Sequence, residues 1–260
     1  MLGPTGAIVQ RFGAGLAAEI ALFWGPLLAL SALAIFLRWR YPAPEGRWSS
    51  GPYRATKCLP MLWMLALAAF ASPGHAASSP DQPGALGFIH DLRLAVMVGL
   101  LLGTLGDFFL LFRRTFLLGF TAFALGHVAY VVGFLSAPWV LSPTAVFACC
   151  LPGLIYAPIV LRRNQHPKMW PLILSYLMLI QLMLLSAINL AVYLSPPSTD
   201  AQNAQGIPAL VCMVGAALFC FSDASWSWNR FVHPLRYAGV QVLGSYYAAQ
   251  GAIVWGALYL

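Results

Sequence analysis

Long apolar runs alternate with short polar breaks along this chain, and the runs have the length of membrane crossings. A spanning helix needs about 20 mostly apolar residues. Eight stretches reach or approach that length, at 16–37, 56–72, 87–112, 116–136, 139–161, 169–194, 207–228 and 237–259. Breakers fill the connectors, among them Ser72-Pro73-Gly74, Pro138, Pro167, Ser195-Pro196-Pro197 and Pro234. The pattern predicts an all-α polytopic membrane protein. It would be a bundle of eight transmembrane helices in one domain over 1–260, with the motif-bearing core at about 54–260.

Composition excludes the soluble alternatives. Apolar residues make up 60% of the 260 and charged residues only 8%, where soluble domains carry about a quarter charged. Mean hydropathy is +0.78. Five cysteines, Cys58, Cys149, Cys150, Cys212 and Cys220, all lie in apolar stretches without zinc spacing. They are expected to be free thiols that pack, so no metal or other cofactor is implied. The N-terminus lacks the pattern of a signal peptide.

The net charge of +7 would suit a nucleic-acid surface, but the cations sit in short loops. The first connector holds Arg38, Arg40, Arg47, Arg54 and Lys57, and the third holds Arg113 and Arg114. Arg162, Arg163 and Lys168 occupy the fifth, Arg230 and Arg236 the seventh. The even connectors have none, and two of them carry Asp81 and Asp200. By the positive-inside rule the odd connectors are cytoplasmic and both termini lie on the opposite side. Such a protein would sit in the endoplasmic reticulum membrane of a eukaryote or the inner membrane of a bacterium.

Four acids remain in or near the apolar runs: Glu19, Asp91, Asp107 and Asp223. A carboxylate at a helix centre costs about 2.5–3.5 kcal/mol on insertion scales, so each needs a reason. Glu19 and Asp91 fall near run ends and read as interfacial, with Arg93 close to Asp91. Asp107 and Asp223 do not. They precede Arg113 and Arg230 by six and seven residues, which places them about 9 and 10 Å into helices of the same direction. Matched depth suggests one shared site; the plainer reading pairs each acid with Lys57, Arg113 or Arg230.

Other polar positions cluster by helical spacing. Phe123, His127, Tyr130 and Phe134 lie on one face, as do Tyr246 and Gln250, with Tyr247 beside them. Gln181 and Asn189 read as interhelical hydrogen-bonding groups, and Tyr176 as a further cavity residue. Gly99, Gly103 and Gly106 form a ridge that permits close packing. Small-Asp followed by Arg and a mid-helix Tyr occurs at 106–130 and again at 222–247, as a parallel duplication of four helices would leave it.

Four stretches together resemble the YhhN-like family of lysoplasmalogenases. They are Lys57-Cys58-Leu59-Pro60-Met61; Gly106-Asp107 with Leu110, Phe116, Gly119, Phe123, His127 and Tyr130; Gly215 to Phe219 into Ser222-Asp223 with Arg230 and Phe231; and Tyr246-Tyr247-Ala248-Ala249-Gln250. The family usually has Lys-Pro-Leu where this chain has Lys57-Cys58-Leu59. The resemblance implies an integral membrane hydrolase of eight helices. It would split the vinyl-ether bond of a lysoplasmalogen, a lysophospholipid held in the membrane, into a fatty aldehyde and glycerophosphocholine or glycerophosphoethanolamine.

That chemistry suits the acids. A vinyl ether is cleaved by protonating its outer alkene carbon, after which water captures the oxocarbenium ion. Two carboxylates in a dry shared site divide into one protonated and one ionised. Asp107 and Asp223 are therefore the expected catalytic pair, with the acid and base roles open between them. His127, Tyr130, Tyr176, Tyr246, Tyr247 and Gln250 would line the site, and Lys57, Arg113 and Arg230 would meet the lipid phosphate. A lipid or proton-coupled transporter could use the same carboxylates. An intramembrane aspartyl protease fits less well, since Thr104 stands where those enzymes place a glycine and Ser222 where they place a tyrosine.

Overall fold

The computed structural model describes residues 14–42, 49–70, 83–164, 168, 170–195 and 203–260. Among these it is helical, in the order α1 (Ala14–Arg40), α2 (Gly51–Thr56), α3 (Leu59–Phe70), α4 (Pro83–Phe109), α5 (Phe116–Phe134), α6 (Pro143–Arg163), α7 (Trp170–Tyr193), α8 (Asn203–Ser227) and α9 (Ala238–Tyr259). A 3₁₀ turn at Arg113–Thr115 leads into α5, and a π turn at Trp228–Val232 prolongs α8. The side chain of Glu19, and residues Arg47, Asp81 and Asp200, lie outside the described set.

Among the described residues six helices are long and apolar enough to cross a membrane: Ala21–Arg40, Phe88–Phe109, Arg113–Phe134, Pro143–Arg163, Trp170–Tyr193 and Gln205–Val232. Their outward faces carry large apolar side chains, such as Leu22, Phe36, Leu117, Phe147, Leu154 and Met178. Lipid can cover that surface and water cannot. Two of the eight expected crossings differ. The stretch 56–72 resolves into α2 and α3, broken at Lys57 and Cys58, and the 12 residues of α3 span only about 18 Å. The last stretch is a helix of full length that falls short on apolarity.

The reason is position. α9 packs against α8, α1, α4 and α3, so most of its surface meets protein and can be small or polar. Gly251 receives Trp24 and Leu27 of α1, Gly256 meets Cys212 of α8, and Gly215 of α8 lies against the Ala249 carbonyl. α4 and α5 pair equally closely. A methyl group on Gly133 would sit 2.8 Å from the Ala95 Cβ, and one on Gly126 would sit 3.1 Å from the Gly99 carbonyl oxygen.

Peripheral α6 starts on Ser142, whose Oγ accepts from the Ala145 amide at 3.3 Å, and contains Pro152 and Pro158. Its hold on the bundle includes the Gln181 amide, which donates to the Cys149 carbonyl at 2.8 Å. Asn189 bonds Pro138 and Val140 in the preceding loop. Gln181 therefore serves the interhelical role expected of it, whereas Asn189 ties its helix to a loop. The five cysteines are free thiols. Arg93, two residues from Asp91, finds its partners on another helix. Its guanidinium reaches the Ala257 and Leu258 carbonyls at 3.0 Å, satisfying the C-terminal turn of α9. Asp91 is exposed, 3.8 Å from His90.

The α4 ridge sets how near its neighbours come. Gly99 abuts the Tyr130 ring, Gly103 faces Gln250, Met61 and Tyr246, and Gly106 lies under Phe123. Gly99→Ala would drive a methyl group into the Tyr130 ring and disturb its bond to Gln250. Overpacking of this kind costs about 1–3 kcal/mol, so this variant should unfold at a lower temperature than wild type in a detergent melt.

Candidate functional site

One end of the bundle, where α1, α4 and α8 finish and α5 and α9 begin, holds a cavity of about 390 Å³. Both Asp107 and Asp223 line it. Phe116, Phe120, Phe123, Leu110, Val242 and Leu243 supply apolar walls, while Arg38, Ser49, Tyr53 and Asn229 supply polar ones. An amphiphile with a hydrocarbon tail and a polar head matches those two kinds of wall.

Asp107 lies in the last turn of α4, where the helix dipole disfavours a negative charge. Two donors compensate. The Lys57 ammonium sits 3.0 Å from Oδ1, and the Tyr246 hydroxyl donates to Oδ2 at 2.8 Å. Lys57 also donates to the Asp107 backbone carbonyl at 3.2 Å. The lysine is itself buried at the break between α2 and α3, and its own carbonyl accepts the Tyr247 hydroxyl at 2.8 Å. α9 thus grips both partners of the ion pair through adjacent tyrosines.

Asp223 is held differently. Its Oδ2 accepts the Tyr176 hydroxyl at 3.2 Å and lies 3.8 Å from His127 Nε2. No described lysine or arginine forms an ion pair with it. His127 Nδ1 is 2.7 Å from the Phe123 carbonyl oxygen, which can only accept, so Nδ1 carries the proton of that bond. Nε2, buried and without a hydrogen-bond partner, faces the carboxyl group. A proton at that position belongs to a carboxylic acid pointing at an imidazole nitrogen, or to an imidazolium facing a carboxylate. Tyr156 of α6 steadies this stretch of α8 by donating to the Ala224 carbonyl at 2.6 Å.

The expected site residues fall into three groups. Lys57, Asp107, Tyr176, Asp223 and Tyr246 line the cavity. His127, Tyr130, Tyr247 and Gln250 stand behind it: His127 backs Asp223, and the Tyr130 hydroxyl donates to Gln250 Oε1 at 2.5 Å. Arg113 and Arg230 are exposed and do not line the cavity. Each projects from a connecting turn, Arg113 from the 3₁₀ turn and Arg230 over the Phe231 ring. Arg38, Ser49, Tyr53, Trp226 and Asn229 line it without having been singled out. Only Tyr53 carried a signal, one helical turn before Lys57. Among the described residues no cluster of three or more His, Cys, Asp or Glu side chains could hold a metal ion.

The YhhN family model matches the chain over residues 53–257. Lysoplasmalogenase TMEM86B of Mus musculus is 26% identical over 235 residues, 90% of this chain and 86% of that protein. The Homo sapiens TMEM86B lysoplasmalogenase is 26% identical over 256 residues, 98% and 95% of the two chains. Lysoplasmalogenase TMEM86A of Homo sapiens is 28% identical over 232 residues, 86% and 83%. No solved structure matches.

Proposed function

The chain belongs to the YhhN family, and from that premise we propose that it is a lysoplasmalogenase that uses Asp223 as general acid and Asp107 as the ionised partner. One observation carries the assignment of roles. The two carboxylates line a single cavity, but only Asp107 has an ammonium at 3.0 Å and a phenol at 2.8 Å. Both donors favour the ionised form of Asp107. Asp223 has no such cation among the described residues, and the orphaned His127 nitrogen beside it suits a proton held on the carboxyl oxygen.

The reaction then runs as follows. Asp223 gives its proton to the outer alkene carbon, and positive charge develops on the ether oxygen and the carbon next to it. Asp107 balances that charge and takes a proton from the attacking water. The hemiacetal collapses as Asp223 takes its hydroxyl proton and Asp107 gives its own to the glycerol oxygen, which frees the aldehyde, restores both carboxyl groups and consumes one water overall. Tyr246 and Tyr176 fix the two carboxylates, and His127 Nε2 faces Asp223 from behind. Eight crossings, with the odd connectors cytoplasmic, belong to the same reading and rest on the alternation of charge.

Purified protein is expected to release aldehyde from a lysoplasmenyl lipid and no fatty acid from its 1-acyl analogue. Fatty acid from the ester, or no aldehyde from the vinyl ether, would refute the assignment of the bond. Aldehyde is read by coupled oxidation and fatty acid by mass spectrometry.

A further inference from the structure

We infer that Arg38 receives the phosphate of a glycerophospholipid headgroup and so selects phosphorylated glycerol ethers over neutral ones. The inference rests on the lysoplasmalogenase reading and adds to it the residue that binds the head of the substrate. In such a lipid the ether oxygen and the phosphorus are separated only by the glycerol carbons and one oxygen. A cation that meets the phosphate must therefore belong to the cavity that holds the reacting bond.

Cations crowd this end of the bundle, but among the described residues only Arg38 and Lys57 line the cavity. Lys57 is buried and spends its ammonium on the Asp107 carboxylate and carbonyl. Arg54 bonds the Ser49 hydroxyl and carbonyl at 2.9 and 3.0 Å. Arg113 and Arg230 lie outside the cavity. Arg38 lines it, from the last turn of α1, with its side chain exposed.

The Arg38 guanidinium is also held in place. Nη1 donates to the Tyr53 hydroxyl at 3.1 Å, and Cζ lies 5.2 Å from the centre of the Tyr53 ring. Across from it stands Gly239 of α9, where a methyl group would come within 3.2 Å of Nε. The missing side chain leaves the guanidinium its room. No described carboxylate forms an ion pair with Arg38, so most of its five N–H donors are available to a phosphate, which the planar fork can engage through two bonds. α1 lies outside the matched residues 53–257, so headgroup selection would come from a part of the chain that the family model does not cover.

The test compares full-length wild type with Arg38→Gln and Arg38→Lys. Binding of a non-hydrolysable 1-O-alkyl-glycerophosphoethanolamine is followed by tryptophan fluorescence, since Trp226 lines the cavity. Arg38→Gln should raise its Kd roughly 10- to 100-fold, as expected for the loss of charge-assisted bonds. The Kd for 1-O-alkylglycerol, which lacks phosphate, should stay the same, and Arg38→Lys should recover part of the loss. On the lysoplasmenyl substrate the same change should appear in KM and not in kcat.

An unchanged Kd for the phospholipid in Arg38→Gln would overturn the inference, as would equal weakening of both ligands. Displacement of the alkyl phospholipid by millimolar inorganic phosphate would also overturn it, by revealing a site for the free anion. Should wild type release no aldehyde, the hydrolase reading falls, while the Kd comparison still decides the role of Arg38.

Discussion

Asp223→Asn is expected to lower aldehyde release by about a thousandfold while leaving the protein folded. General acid catalysis by a positioned side chain contributes about 10²- to 10⁴-fold, and an amide of the same shape cannot supply the proton. Stability should survive because no described fixed cation depends on this carboxylate. Its described polar neighbours are the Tyr176 hydroxyl and His127, and an amide oxygen can still accept the tyrosine. The measurement is turnover at saturating lysoplasmenyl lipid beside a thermal melt in detergent. A loss smaller than tenfold would remove Asp223 from the proton-transfer step.

Asp107→Asn should fail in a different way, losing both turnover and stability. The Lys57 ammonium would remain buried at 6% exposure without its carboxylate. Breaking a buried pair by removing one partner costs about 3–5 kcal/mol. Lys57→Met should be comparably destabilised, because it strands the carboxylate. The double variant Lys57→Met/Asp107→Asn removes both charges and should regain most of the stability while staying inactive. Wild-type melting of the single Asp107 variant would show that the pair is not held as described. Turnover in the double variant would show that Asp107 has no part in the chemistry.

The contrast between the two aspartates marks what the sequence could and could not convey. Two carboxylates at one depth stand out in a chain with seven acids, because lipid gives an unpaired charge nowhere to go. Their convergence on one cavity was therefore legible. Which of them had a cation was not, since Lys57, Arg113 and Arg230 were equally plausible partners by helical rise alone. His127 stands against Asp223, a contact between α5 and α8 that spacing along a single helix does not convey.

Legibility of the helices followed the same logic. α1, α4, α5, α6, α7 and α8 face lipid on at least one side, and a lipid-facing helix must advertise itself with an apolar run. α9 hides among its neighbours, so its tyrosines, Gln250 and glycines dilute that signal. By sequence Arg38 belongs with the topology-setting cations of the first connector, but α1 continues through Arg40. A guanidinium that lines a cavity and one that greets headgroups are the same letter in a sequence; only the neighbouring Tyr53 and Gly239 separate them.

Gly103 ties architecture to reactivity more tightly than any polar residue does. A methyl group there would lie 2.9 Å from the Gln250 amide nitrogen, 3.2 Å from Met61 and 3.6 Å from the Tyr246 hydroxyl. That hydroxyl is the one that steers Asp107. The residue thus works as a spacer of zero thickness, and a mutational scan scored by turnover alone would rank it beside the carboxylates although it owns no reactive atom.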